Sequence, residues 1–201
     1  MKYHIIAIER EYASGGQEIG EKLAARMGIP CYGREILELA AKELGTSTAY
    51  LEGIEEKSNG SFLFSMYTMA GLANMAKGGN GTMSNEGALF LTESEIIRKI
   101  TQTPAVIVGR CAVDALKDRE DVLRVFIRSS NAKRHARASD SYGISPDNAE
   151  SVIRRADKRR NSYYKVLTGK DWRDAANYHL VLDSGSLGID KCVELLELCV
   201  R

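Results

Sequence analysis

Hydrophobic positions along the first thirty residues change period once, and that change sets the pattern for the chain. Ile5, Ile6 and Ile8 form a β-branched run, which predicts a strand buried on both faces of a parallel sheet. A polar turn with adjacent glycines, Gly15 and Gly16, comes next. Ile19, Leu23, Ala24 and Met27 then recur at helical spacing until Gly28-Ile29-Pro30 stops the helix. A short strand is predicted at 31–33 and a helix over 34–44, ended by Gly45. Thr46 and Ser47 are caps for a further helix containing Tyr50, Leu51 and Ile54. Over 58–87 the periodicity gives way to Gly, Ser, Asn and Met around an apolar patch that includes Phe62, Phe64 and Leu72. This predicts a helix and a mobile inserted loop, acting either as a lid or, through 62–75, as a homo-oligomer contact.

Alternation then resumes. A helix is predicted over 89–100, a strand over 105–108, the start of a helix at 112–116 and a strand over 123–127. Ser129, Ser130 and Asn131 offer caps for a helix carrying Lys133, Arg134 and Arg137. Pro146 opens a long basic helix that Thr168-Gly169 breaks, and a strand at 178–182 precedes an amphipathic helix over 189–200. Strands alternating with helices predict an α/β fold with a parallel sheet of about five strands and helices on both faces. Ligands of such sheets bind beyond the strands' C-terminal ends. That draws attention to 10–18, 32–34, 109–111, 128–130 and 183–184.

At 201 residues the expectation is a single domain, 1–201, with a helical lid or insertion. A net charge of +1 gives no ground for nucleic-acid or membrane-surface binding by the molecule as a whole. Its distribution is uneven, however. Between 128 and 173 there are twelve Lys/Arg against five acids, whereas 35–57 carries six Glu and two Lys. The basic stretch, with 131–175 expected as a helical lid, suits a local polyanion such as a nucleotide's phosphates; a solvated helix face is the competing reading. Cys31, Cys111, Cys192 and Cys199 form no metal-binding pattern and read as reduced thiols in a cytoplasmic protein. No apolar run approaches the length of a membrane span. His4, His135 and His179 form no catalytic group.

Strand, glycine turn and helix together make the geometry of a phosphate-binding loop, in which helix N-terminal amides meet an anion. The pattern G-x-x-x-x-G-K-[ST] would start at Arg10, with Gly16 in the lysine position and Gln17 in place of the magnesium-binding hydroxyl. The loop's shape is present without those groups. On this evidence Ala13, Ser14, Gly15, Gly16, Gln17 and Glu18 are either a phosphate cradle or a tight turn that binds nothing.

The runs Ile8-Glu9-Arg10-Glu11-Tyr12-Ala13-Ser14-Gly15-Gly16-Gln17-Glu18-Ile19-Gly20 and Val106-Ile107-Val108-Gly109-Arg110 closely resemble the cytidylate kinase-like family. So do Gly28-Ile29-Pro30 with Tyr32, Arg34 and Glu35, and the late block from Asp157-Lys158-Arg159-Arg160 to Leu182-Asp183-Ser184. The resemblance covers nearly the whole chain. It implies a three-layer P-loop NTPase-like fold, with ATP and Mg2+ as cofactors and a small nucleotide as partner. Gly109 and Arg110 resemble the start of a Gly-Arg-Asp acceptor motif in which Cys111 replaces the acid, and Arg34 falls in the same acceptor region. Arg134, Arg137, Asp157 and Arg160 resemble lid residues of the catalytic centre. The Gly16 form of the loop is shared by the family, so Arg10 or Lys170 is expected to take the lysine's part, and Ser14 or Glu18 to contact magnesium through water.

Three functions compete. One is an ATP-dependent phosphotransferase acting on a nucleoside monophosphate or another small phosphorylated acceptor. The second is a non-catalytic nucleotide- or anion-binding protein with a degenerate P-loop. The third is an assembly protein that associates through 62–75.

Overall fold

The computed structural model describes residues 3–57 and 85–200. Its centre is the strand β1 (Ile5–Arg10), flanked by β3 (Ala105–Val108) and β4 (Val122–Arg128). The strand β2 (Cys31–Tyr32) extends the sheet beyond β3, and β5 (Leu180–Asp183) beyond β4. The order is β2-β3-β1-β4-β5 and every pair is parallel. Register is continuous across the centre, where Ile5 pairs with Ala105 on one side and Val122 on the other.

Side chains alternate across β1 and feed two separate cores. Ile6 and Ile8 pack against Ile19 and Leu23 of α1 (Gly16–Met27) and against Val193 and Leu196 of α9 (Ile189–Val200). Helix α1 lies close to the sheet because Gly20 has no side chain: a Cβ there would stand 2.7 Å from Val108 Cγ2. Ile5 and Ala7 face the opposite layer. There they meet α2 (Arg34–Glu43), α3 (Thr48–Lys57), α4 (Asn85–Ile100), the short α5 (Ala112–Ala115) and the far end of α7 (Pro146–Thr168). Trp172 and Tyr164, both fully buried, complete that layer. The fold is the three-layer α/β arrangement of P-loop NTPases, with α6 (Asn131–Tyr142) and α7 packed over the strand ends.

The elements follow their sequence signals closely. Gly28 closes α1 in the left-handed conformation, and Ser130 Oγ caps α6 by accepting from the Lys133 N–H. Two details differ. The last strand starts at Leu180 because Tyr178 ends a 3-10 turn (Ala175–Asn177), and a short α8 (Ser184–Leu187) precedes α9. The insertion expected over 58–87, including the apolar patch at 62–75, lies outside the described residues up to 84, and Asn85–Gly87 form the first turn of α4. Among the described residues no helix is long and apolar enough to cross a membrane.

Candidate active site

The C-terminal ends of β1, β3 and β4 converge on the turn 11–15. Gly15 is the N-cap of α1, at φ 78°, and no side chain caps the helix. The first amides of a helix have no intrahelical acceptor, so this end of α1 presents donors and a positive dipole end to an anion. Ala13 also has positive φ (58°), a conformation that costs a non-glycine residue about 1–3 kcal/mol unless its surroundings impose it.

The surroundings do impose it. Ser14 Oγ donates to the Glu11 carbonyl (2.9 Å), and Ser184 Oγ donates to the Ser14 carbonyl (2.6 Å). The Tyr12 N–H donates to Asp157 Oδ1 (2.8 Å) while Arg134 Nε donates to the Tyr12 carbonyl (2.8 Å). Arg134 and Asp157 are themselves a hydrogen-bonded ion pair, both buried. Glu11 accepts from the Ser129 N–H (3.1 Å) and pairs with Arg134 and with Arg173 (3.0 Å). Helices α6 and α7 thus grip the Tyr12 peptide from both its donor and its acceptor side.

Steric contact explains the glycine in the lysine position. A Cβ on Gly16 would lie 2.5 Å from Arg10 Cβ and 2.9 Å from its Cγ. The Arg10 stem fills that space, and its guanidinium runs on to pack against Gly109, leaving no room for a side chain there. Gly109 has φ 79°, and Arg110 and Cys111 continue in the left-handed region at 61° and 51°. This run bends the chain sharply at the end of β3 and carries Arg110 to Glu93, whose fully buried carboxylate lies 3.5 Å away.

Behind Arg10 lies a cavity of about 140 Å³ lined by Glu9, Arg10, Arg110, Cys111, Arg159, Arg160, Tyr163, Tyr164 and Trp172. A second cleft, about 290 Å³, opens over Gly15, Gly16 and Gln17 and is also lined by Arg10 and Arg160. The two arginines therefore form a wall shared by the loop and the cavity. Arg160 donates to the Arg10 carbonyl (2.9 Å) and lies over the Tyr12 ring. Burial, with Arg10 close by, lowers its guanidinium to about 9, so it remains charged at neutral pH. Burial likewise raises the Glu9 carboxyl above its ordinary value, against the pull of Arg10, a hydrogen bond from Trp172 and the charges of Arg160 and Arg110.

Of the residues singled out from sequence, Arg10, Gly109, Arg110 and Arg160 meet at this wall and cavity. Arg134 and Asp157 hold the loop from beneath. Arg137 stands beside Gly15 and donates to Glu18 Oε2 (2.8 Å); that bond, with help from Lys22, keeps the Glu18 carboxyl below its usual range. Arg34 lies apart, two-thirds exposed on α2 and paired with Glu38 and Glu52. Lys170 pairs with Asp114 (3.0 Å) and lines neither space. Sequence reasoning passed over Glu9, Arg159, Tyr163, Tyr164 and Trp172. Glu9 had a usable signal: Ile5, Ala7 and Glu9 share one face of β1, which puts an acid on a core-facing position at the strand's C-terminal end.

A crystal structure of an uncharacterized protein from Eubacterium ventriosum ATCC 27560 superposes with a TM-score of 0.69 at 21% identity, covering 98% of this chain and 97% of that one. Shikimate kinase from Bacteroides thetaiotaomicron gives 0.52 at 11% identity (98% and 97% covered). Shikimate kinase from Acinetobacter baumannii, solved in complex with shikimate, gives 0.50 at 13% identity (98% and 93%). At these identities the likeness is one of fold. No curated protein matches the sequence significantly. The cytidylate kinase-like family, by contrast, matches residues 5–186, a span that holds all five strands, the loop, Arg110 and the α6–α7 grip, and the chain belongs to that family.

Proposed function

We propose that this protein is a phosphotransferase of the kinase type. It takes a nucleoside triphosphate, ATP by family resemblance, against Ala13–Glu18 and transfers the terminal phosphoryl group to a nucleoside monophosphate or another small phosphorylated acceptor in the cavity at the end of β3. The observation that supports this most directly is the wall of Arg10 and Arg160 between loop and cavity. Donor and acceptor both carry negative charge. Guanidinium groups fixed between them offset the repulsion and follow charge as it develops on the transferred group.

In this reading Arg10 does the work of the absent lysine, Arg160 contacts the transferring group and Arg110 the acceptor. Arg134 and Asp157 are positioning residues that hold the loop. Arg137 exchanges Glu18 for a phosphate oxygen. The chemistry is positioning and electrostatic stabilisation, with no covalent intermediate on the protein.

Side chains here do not build a resident magnesium site. The Gln17 amide nitrogen donates to Glu21 and the Ser14 hydroxyl to the Glu11 carbonyl, which leaves the oxygen lone pairs of both to meet an ion carried in by the triphosphate, and no cluster of three or more His, Cys, Asp or Glu occurs among the described residues. Magnesium belongs in this scheme as part of a metal–triphosphate substrate.

Coupled turnover of ATP with a panel of monophosphates tests the proposal. Activity that falls about 10²–10³-fold in Arg110→Ala and in Arg160→Ala is expected, the size usual for loss of one charge-stabilising group. The missing lysine and hydroxyl favour a second reading, a nucleotide binder without turnover. It requires thermal stabilisation by a triphosphate with no phosphate released or transferred for any acceptor.

A further inference from the structure

We propose that the cavity beside Glu9 selects a compact acceptor bearing an anionic group and a hydroxyl or amino donor, with Glu9 Oε1 reading the donor. The substrate class is thus a small hydroxylated phosphate or carboxylate rather than a nucleotide. Calling this ligand an acceptor rests on the phosphotransferase reading; its shape and polarity rest on the cavity alone.

Two buried polar atoms have no hydrogen-bond partner and belong to residues lining this one space. They are Glu9 Oε1, on a residue only 4% exposed, and Tyr164 Oη, on one 1% exposed. Buried polar atoms are nearly always satisfied in folded proteins, so two orphans on residues that line a single cavity mark a place for an outside group.

What surrounds Glu9 defines that group. The cavity's other charged walls are guanidinium groups, from Arg10, Arg110, Arg159 and Arg160, which donate and cannot accept. The Trp172 indole lies beside the same carboxyl. A ligand that suits walls of this charge is an anion. One that carries only anionic oxygens sets them against the Glu9 carboxyl and leaves Oε1 without a donor. A ligand with a hydroxyl or amino group a few bonds from its anionic end satisfies both. The volume, about 140 Å³, is close to the room of a benzene ring. A three-carbon chain with an anionic end is of that size, whereas the sugar and base of a nucleotide would have to extend out through the open side.

The experiment is calorimetric titration of the whole chain with glycerol 3-phosphate, propyl phosphate, inorganic phosphate and CMP. It is run on wild type, Glu9→Gln and Glu9→Met, with and without a non-hydrolysable ATP analogue. Wild type is expected to bind glycerol 3-phosphate at least tenfold more tightly than propyl phosphate. Glu9→Met should remove that preference while keeping propyl phosphate affinity. Glu9→Gln, whose amide oxygen still accepts, should keep part of it. Equal binding of the two phosphates by wild type, a preference that survives in Glu9→Met, tighter binding of CMP than of glycerol 3-phosphate by wild type, or no binding of any of the four overturns the inference. If the ATP analogue fails to bind while the preference holds, the phosphotransferase reading falls and the cavity's selectivity stands. If the analogue binds and the preference is absent, the reverse is true.

Discussion

Glu9 and Gly16 carry opposite lessons about single residues. Glu9 is an acid in a buried strand, and its carboxyl titrates above the ordinary 4.5 because burial outweighs the neighbouring arginines. Its folded pKa therefore exceeds the unfolded one. The proton it holds contributes stability that is complete below about 4.5 and is lost as the pH rises through the folded value. Replacing Glu9 with Gln removes that loss. Thermal unfolding across pH 4 to 8 should find Glu9→Gln gaining on wild type as the pH rises above ~4.5, with no gain at pH 4. Gly16 is a missing side chain with a steric cause. Restoring the lysine by Gly16→Lys drives its Cβ to 2.5 Å from Arg10 Cβ, and denaturant titration should register a loss of about 1–3 kcal/mol. Arg10→Ala keeps the offending Cβ and should relieve only part of that loss. The absence of the lysine was plain in the sequence. Its reason was not, because it depends on how the end of β1 faces the start of α1.

Elements were far more legible than contacts. Helices α1, α7 and α9 lie where the sequence puts them, α1 closed by Gly28 and α7 set between Pro146 and Gly169, and each begins and ends near its expected bounds. The strand expected at 178–182 begins instead at Leu180. Tyr178 is apolar and buried against Phe126, which imitates a strand residue, yet its backbone closes the preceding 3-10 turn. The basic character of 131–175 was visible too, but its distribution between solvent and interior was not. Arg134 went inward to meet Asp157, while Arg173, half-exposed, pairs with the same carboxylate from outside. Removing Asp157 takes the nearer carboxylate from buried Arg134 and leaves it Glu11 at 3.4 Å. Asp157→Ala should therefore cost about 3–5 kcal/mol in chemical denaturation, against about 1 kcal/mol or less for Arg173→Ala. Protease nicking within 11–15 should also speed up in Asp157→Ala, because the Tyr12 peptide loses its grip.

For the molecule as a whole, the parallel sheet was readable because each strand is a short apolar run between helices. The site was not, because residues 9–10, 110–111, 159–164 and 172 meet only through the crossing of β1, β3 and α7. No periodicity within one segment reports on that meeting. A triphosphate that occupies the loop should stabilise the whole fold through α6 and α7. An analogue at a hundred times its dissociation constant is worth about 2.7 kcal/mol. For a chain of this length that is a rise of roughly 5–10 °C in melting temperature, and at the same analogue concentration the rise should be smaller in Arg137→Ala, which binds it more weakly. The sequence contains a single tryptophan, Trp172, and it stands in the cavity wall with its indole beside Glu9. Emission from this protein is accordingly a label-free gauge of one spot: ligand entering that chamber should shift or quench the signal, and titrations can be followed by eye of a fluorimeter without a dye or a coupled assay.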